Sequence, residues 1–264
     1  MRVINFHEHP GRHVEPYNRE HGIDCSVLLP VGEEAHGRAL EMARAHPDRY
    51  VPFAWLGDLE DIGAAVARLE EGVLGERRKG VKFQPLLQHF SPDERRLWPL
   101  YERAVELDVP LLFHTGYVGF PAEFGIPHLG RYADTIMGLD LVAAEFPDLK
   151  IVVAHLGGNY DYEALVLAEK RANVYTDTAY QHFFCARLLP PVTPMERIER
   201  WVRVVGADRV LYGAEGFPPG EVLASDLTEE EKSAILGGNA ARLLHLPTGQ
   251  KKGSDPFFCQ GPGR

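Results

Sequence analysis

The stretch Lys150-Ile-Val-Val-Ala-His-Leu-Gly-Gly-Asn-Tyr-Asp-Tyr-Glu-Ala-Leu-Val-Leu-Ala-Glu-Lys-Arg-Ala-Asn-Val-Tyr-Thr-Asp177 decides the fold. It opens on a short β-branched run, 150–154, passes through a helical stretch, 162–170, and closes on a second β-branched run, 173–176. A strand, a helix and a strand in that order make a unit whose strands pair in parallel. Each run ends on a titratable residue, His155 or Asp177. Working outward, further strand-like runs lie at 3–6, 26–29, 51–55, 80–83, 110–113 and 209–212, which brings the number to eight. Helical stretches at 33–45, 59–74, 92–107, 135–146 and 194–205 separate most of them. Leu59, Ile62, Val66 and Leu69 recur at the three- and four-residue spacing of a helix packed on a sheet. Eight such alternations predict closure into a (β/α)8 barrel, and the 264 residues fit the roughly 250 that such a barrel takes. The connection Pro10–Gly22, rich in Gly, Pro and charge, reads as an active-site loop and not as a clean helix. Thr228 followed by three glutamates predicts a capped helix, which Leu236-Gly-Gly-Asn239 then ends, with Asn239 capping a last one through Leu244.

Composition narrows the function. Hydrophobic residues make up 45% and charged residues 25%, enough for a large buried core. A net charge of −10 without a dense basic cluster disfavours nucleic acid as a partner. The N-terminus runs straight into His7 with no long apolar stretch, so neither a membrane span nor a secretory leader is expected, and the expected location is cytoplasmic. Cys25, Cys185 and Cys259 are odd in number and far apart, which indicates neither a disulfide framework nor a thiolate zinc site. Residues 247–264 turn polar and Gly/Pro-rich and are expected to form a tail outside a single domain of residues 1–246.

The chemistry gathers at strand ends. His7 and His9 stand two apart at the end of the first strand, where the period of two points both imidazoles the same way. A chance pair in a loop is the bland alternative, since the chain has 12 histidines. The remaining ends weigh against it: Lys82, His114, His155, Asp177 and Glu215 follow strands four to eight, at the rim where barrel enzymes place their sites. Imidazoles with a carboxylate and no thiolate suit a catalytic divalent cation, Zn²⁺ or equally Mn²⁺, Fe²⁺ or Co²⁺.

Phe6-His-Glu-His-Pro10, Gly80-Val-Lys-Phe83, Leu112-Phe-His-Thr-Gly116, the segment from Phe146 through His155 to Gly158, and Leu236-Gly-Gly-Asn-Ala-Ala-Arg-Leu-Leu244 together resemble the amidohydrolase-related proteins. This group, amidohydrolase family 2, includes aminocarboxymuconate-semialdehyde decarboxylase, and the resemblance runs over residues 1 to about 246 in order. It implies a distorted TIM barrel of the metal-dependent hydrolase type with one divalent metal, usually zinc. By the resemblance, His7, His9 and His114 take the roles of ligands, and His155 orients or deprotonates the metal's water. Family members carry Asp in a Gly-Ser/Thr-Asp-x-Pro motif after strand eight. This chain has Tyr212-Gly-Ala-Glu-Gly-Phe-Pro218, so Glu215, one methylene longer, would serve as ligand or proton carrier only if the backbone draws back at Gly216. Gln84 is a second departure, standing where many relatives have His.

Lys82 reads as an anchor for an anionic substrate, a carbamylated bridge between two metals, or a rim lysine without a role. Asp177 either orients a ligand imidazole or caps the following helix. Tyr117, Phe120, Phe124, His182, Phe183 and Phe184 are candidates for walling a small organic molecule or for packing their own loops. The primary expectation is metal-assisted hydrolysis of an amide, lactone or related acid derivative of a small molecule, with His155 as base and Glu215 carrying the proton onward. Non-oxidative decarboxylation on the same site is the runner-up, and a barrel that has lost catalysis and only binds is the third reading. The resemblance leaves a homodimer open.

Overall fold

A computed structural model describes residues 1–117, 132 and 135–247. Eight parallel strands are present: β1 Ile4–Glu8, β2 Cys25–Leu28, β3 Tyr50–Pro52, β4 Val81–Phe83, β5 Leu111–Phe113, β6 Ile151–Val153, β7 Val174–Asp177 and β8 Val210–Leu211. They form a three-stranded sheet, β1-β2-β3, and a five-stranded sheet, β4 to β8 in order. The two sheets meet along two seams. At one, Ala54 N donates to Gly80 O (2.8 Å) and Lys82 N to Ala54 O (3.0 Å); at the other, Phe6 N donates to Tyr212 O (2.6 Å). The sheet therefore closes on itself as the distorted (β/α)8 TIM barrel that the strand count predicts.

The longer helices are α1 Val14–His21, α2 Glu33–Ala45, α3 Ile62–Gly75, α4 Trp98–Glu106, α5 Ile136–Glu145, α6 Asp161–Lys170 and α7 Pro194–Val205. Their apolar stripes pack on the outer strand faces, where Leu69, Leu100, Leu139, Ala164 and Trp201 join Val81, Phe113, Val153 and Val210 in one cluster. Ile4, Phe6, Val27, Phe53, Leu112, Val152 and Leu211 fill the inside, plugged at the N-terminal end by Ala240, Leu243 and Leu244. In β1 the pairing runs Asn5 with Ser26 and then Glu8 with Leu28, so one extra residue is accommodated as a bulge. A bulge re-aims side chains. It lets Ile4 and Phe6 pack in the barrel core while His7 beyond them turns to the same interior.

Three local expectations need correction. The first connection is not a bare loop, because α1 occupies 14–21, ended by Gly22 in the left-handed conformation, with Val14 buried against Leu28 and Ala39. Leu236-Gly-Gly-Asn239 does not end its helix: the chain runs through a π turn, 234–238, into a last helix, 239–243. Gly237 permits this because a Cβ there would stand 2.2 Å from the Arg2 carbonyl at the foot of β1. Asn239 is helical and does not cap; its side-chain amide donates to Ala207 O (2.6 Å) and Val210 O (2.7 Å) beside β8. The expected Thr228 cap is present as a reciprocal box with Glu231. Apart from Pro247, the expected tail lies outside the described residues, as do Phe120 and Phe124. Among the described residues no helix is long and apolar enough to cross a membrane.

Candidate metal centre

His7 is fully buried, and its Nδ1–H donates to Asp177 Oδ2 at 2.8 Å. That bond leaves Nε2 bare, without a hydrogen-bond partner, 3.9 Å from Glu215 Oε2, which is likewise buried and unpartnered. His9 repeats the pattern: Nδ1–H donates to Leu29 O (2.9 Å), and Nε2 points at Glu215 Oε1, 3.6 Å away. His155 Nδ1 lies 3.1 Å from Ala179 O, and its Nε2 pairs with His114 Nδ1 at 3.2 Å. His114 Nε2 lies 3.1 Å from Gly116 O, an acceptor that fixes the proton on that nitrogen. His7 thus spends one N–H on a carboxylate and keeps the other nitrogen as a lone pair, the state in which histidine binds metal, while the His155 and His114 rings face each other. The bare His7 Nε2 and the orphaned Glu215 Oε2 fit a divalent cation. The ligand atoms of His7, His155 and Glu215 all lie within 4.8 Å of one another. His9 joins them through Glu215, and His114 through His155.

Burial and neighbouring charge shift His155, His114 and the two carboxyls. Burial and the neighbouring His7 push His155 down to about 4, and burial with His155 and Lys82 beside it pushes His114 well below its ordinary value. Burial would raise both carboxyls, but the surrounding imidazoles outweigh it. Asp177 is drawn down to about 2 by the charge and hydrogen bond of His7, and Glu215 is held far below the carboxylate range by His9, His7 and His155. Lys82 is fully buried with no partner for Nζ; burial lowers it to about 8 against the pull of Asp177 and Glu215.

The backbone makes room for Glu215. Its φ is 39° and that of Gly216 is 87°, so the longer side chain hangs from a left-handed turn that glycine permits at the second position. Ala214 N donates to Asn5 Oδ1 (2.9 Å), and the same oxygen accepts from His7 N (3.1 Å). Asn5 Nδ2 in turn donates to Glu8 Oε2 (3.0 Å), while Glu8 Oε1 accepts from His9 N (3.0 Å) and His13 Nε2 (3.1 Å). Asn5 and Glu8 therefore brace the His-x-His strand against the loop that carries Glu215. Sequence reading gave neither a role; the available signals were Asn5 between the apolar Ile4 and Phe6 and Glu8 between the two histidines.

Asp177 acts on both sides. Besides holding His7, its Oδ1 accepts from His155 N (3.1 Å) and Ala179 N (3.0 Å). His155 itself sits at φ 61°, followed by Leu156 at 52°. Two consecutive non-glycine residues in this region cost about 1–2 kcal/mol each. Aromatic rings flank the site: Phe184 lies 5.6 Å and Tyr180 6.4 Å from the His155 ring, and Phe183 stacks on Tyr180 at 4.5 Å. Tyr180 was not among the expected aromatics. His182 turns away to Glu221 (2.6 Å).

A barrel with a histidine and carboxylate cluster at the C-terminal rim defines a class, and the sequence comparison gives the family. Residues 26–246 match the Amidohydrolase family, to which this chain belongs. The 2-keto-4-carboxy-3-hexenedioate hydratase of Sphingobium sp. (strain NBRC 103272 / SYK-6) is 28% identical over 249 residues, covering 84% of this chain and 73% of that protein. An uncharacterised TIM-barrel protein of Bordetella bronchiseptica superposes with a TM-score of 0.74 at 19% identity, over 93% of this chain and 99% of its own. A dihydroxybenzoic acid decarboxylase of Polaromonas sp. JS666, solved with manganese and the inhibitor 2-nitroresorcinol, superposes with a TM-score of 0.66 at 18% identity, over 89% and 85%.

Proposed function

We propose that this chain is a metal-dependent enzyme that directs water at a small organic acid, adding it across a conjugated double bond or, in the hydrolytic variant, to an acid derivative. The observation that carries this reading is the meeting of His7, His155 and Glu215, whose ligand atoms all lie within 4.8 Å of one another, with His7 Nε2 and Glu215 Oε2 buried and unpartnered. His7, His9, His114 and Glu215 are the residues to hold one divalent cation, Zn²⁺ or Mn²⁺, which when bound makes hydroxide available near pH 7 and polarises a substrate oxygen. His155, fixed by Ala179 O, presents Nε2 as the base that takes the proton from water. Glu215 Oε2 relays to the product the proton that His155 has taken from water. Lys82, buried and unpartnered, binds the substrate carboxylate. Asp177 keeps His7 in the tautomer that a ligand needs.

The hydratase relative supports addition of water over the hydrolysis that the sequence alone put first. The decarboxylase neighbour supports a second reading, loss of CO₂ from an aromatic acid on the same residues. Labelled water separates these outcomes. The Zn²⁺- or Mn²⁺-loaded chain is incubated in H₂¹⁸O with unsaturated keto acids, lactones, amides and hydroxybenzoates, and the products are weighed. Label in a new hydroxyl supports hydration, label in a new carboxylate supports hydrolysis, and CO₂ release with no label in the organic product supports decarboxylation. Metal held well below one equivalent in the folded chain, with no turnover of any class, would overturn the enzymatic reading in favour of a binding barrel.

A further inference from the structure

Arg197 lies on α7, away from the ligand set, yet it is 3% exposed and its guanidinium is directed at the turn that carries His155. One terminal nitrogen donates to Leu156 O (3.1 Å) and to Gly158 O, and the other donates to Gln181 Oε1 (3.0 Å). Its Nε lies 3.4 Å from Asp161 Oδ2 at the start of α6. The turn it holds is unusual: His155, Leu156, Gly157 and Gly158 all have positive φ. Gly157 and Gly158 leave no room for a Cβ, which would stand 2.4 Å from Ala164 Cβ and 2.9 Å from Thr115 O. A planar fork with fixed donors suits two carbonyls of one tight turn, and an ammonium does not reproduce it.

The second arm reaches the same histidine from another direction. Gln181 Nε2 donates to Ala179 O (3.2 Å), the carbonyl that also accepts His155 Nδ1–H. The guanidinium therefore ties together the backbone on which His155 stands and the acceptor that orients its ring. We infer that Arg197 is a positioning residue: through Leu156 O, Gly158 O and Gln181 it holds His155 in the strained turn with Nδ1 on Ala179 O and Nε2 turned to the His114 side of the site. This rests on the reading of His155 as the site's base only for its effect on turnover; the effect on ring geometry stands apart from it.

The test uses the whole metal-free chain with ¹⁵N-labelled histidine. The His155 Nδ1–H resonance, assigned by its loss in H155A, is expected in the parent as a slowly exchanging imidazole proton. In Arg197→Ala, with a cooperative melt retained, that resonance is expected to be lost, and guanidinium ion added to the solution is expected to restore it in part. If Arg197→Ala does not fold, Arg197→Lys decides: loss of the resonance in a folded variant supports the inference, and a parent-like resonance overturns it. Gln181→Leu is expected to weaken the signal without moving the backbone shifts of 155–158. A variant that only lowers the melting temperature, with the His155 signal unchanged, means that Arg197 is a structural tie and the inference fails. Full turnover in H155A beside a lost resonance in R197A would sink the base role and leave the positioning intact.

Discussion

At the C-terminal ends of the strands His7, Lys82 and Glu215 keep buried polar atoms without partners. At the N-terminal ends Asp108 accepts from both Lys150 (2.6 Å) and His245 (2.6 Å), and Arg209 spreads over the carbonyls of Ala168, Arg171 and Val205. The same eight strands build both ends. A buried polar atom left unmade costs about 1–3 kcal/mol, so the upper rim is held in a state that packing alone does not favour. At the lower rim Asp108 and Arg209, whose charges are met, contribute to stability in the ordinary way. The difference marks which end was shaped by chemistry.

Substitutions at the two rims sharpen this contrast. The largest effect is expected for His155→Ala, which removes the proposed base and should lower turnover by about 10²–10⁴-fold while metal content, read by elemental analysis, stays near the parent's. Next comes Asp177→Asn. Its amide would offer a donor to His7 Nδ1 and drive the proton to Nε2, so Zn²⁺ or Mn²⁺ affinity by competition titration should fall about 10–100-fold. The same variant has a pH signature. Asp177 titrates below its unfolded value, so its share of stability is present above about pH 4 and is lost as pH falls toward about 2. Acid unfolding of Asp177→Asn should lose that part of its pH dependence.

Lys82→Met is expected to raise the melting temperature, because it removes an unpartnered buried amine worth about 1–3 kcal/mol, and to raise KM for an acidic substrate. Unchanged stability there would weaken the contrast between the rims. The smallest effect is expected at the lower rim. Asp108 is lowered by Lys150 and His245, so its stabilisation also fades with falling pH, but the group is 57% exposed. Asp108→Asn should cost no more than about 1 kcal/mol by denaturant titration.

Most of this rim was legible in the sequence. His7, Lys82, His114, His155, Asp177 and Glu215 each follow an apolar run, and strand period and barrel polarity together bring such residues to one face. What the sequence concealed was pairing across long separations. Asn5 meets Ala214 over 209 positions and Arg197 meets Leu156 over 41, and neither residue sits in a periodic pattern that reveals its partner. The bulge in β1 was hidden for a related reason, since it exists only relative to β2. Helix α1 was missed because its composition is that of a loop, and burial of Val14 and Asn18 outweighs poor propensity. The π turn at 234–238 likewise answers a tertiary demand, the close approach of Gly237 to Arg2.

The two seams of the barrel give the site a mechanical role. His7 and His9 belong to the three-stranded half, whereas His114, His155, Asp177 and Glu215 belong to the five-stranded half. The seam between β1 and β8 is crossed by the Phe6 to Tyr212 bond, by Asn5 and by the His7 to Asp177 pair. A cation gripped from both halves would act as a rivet across this seam. Occupancy then becomes readable as stiffness: amide exchange at Phe6 and Ala214 should slow on loading, well before any substrate is known.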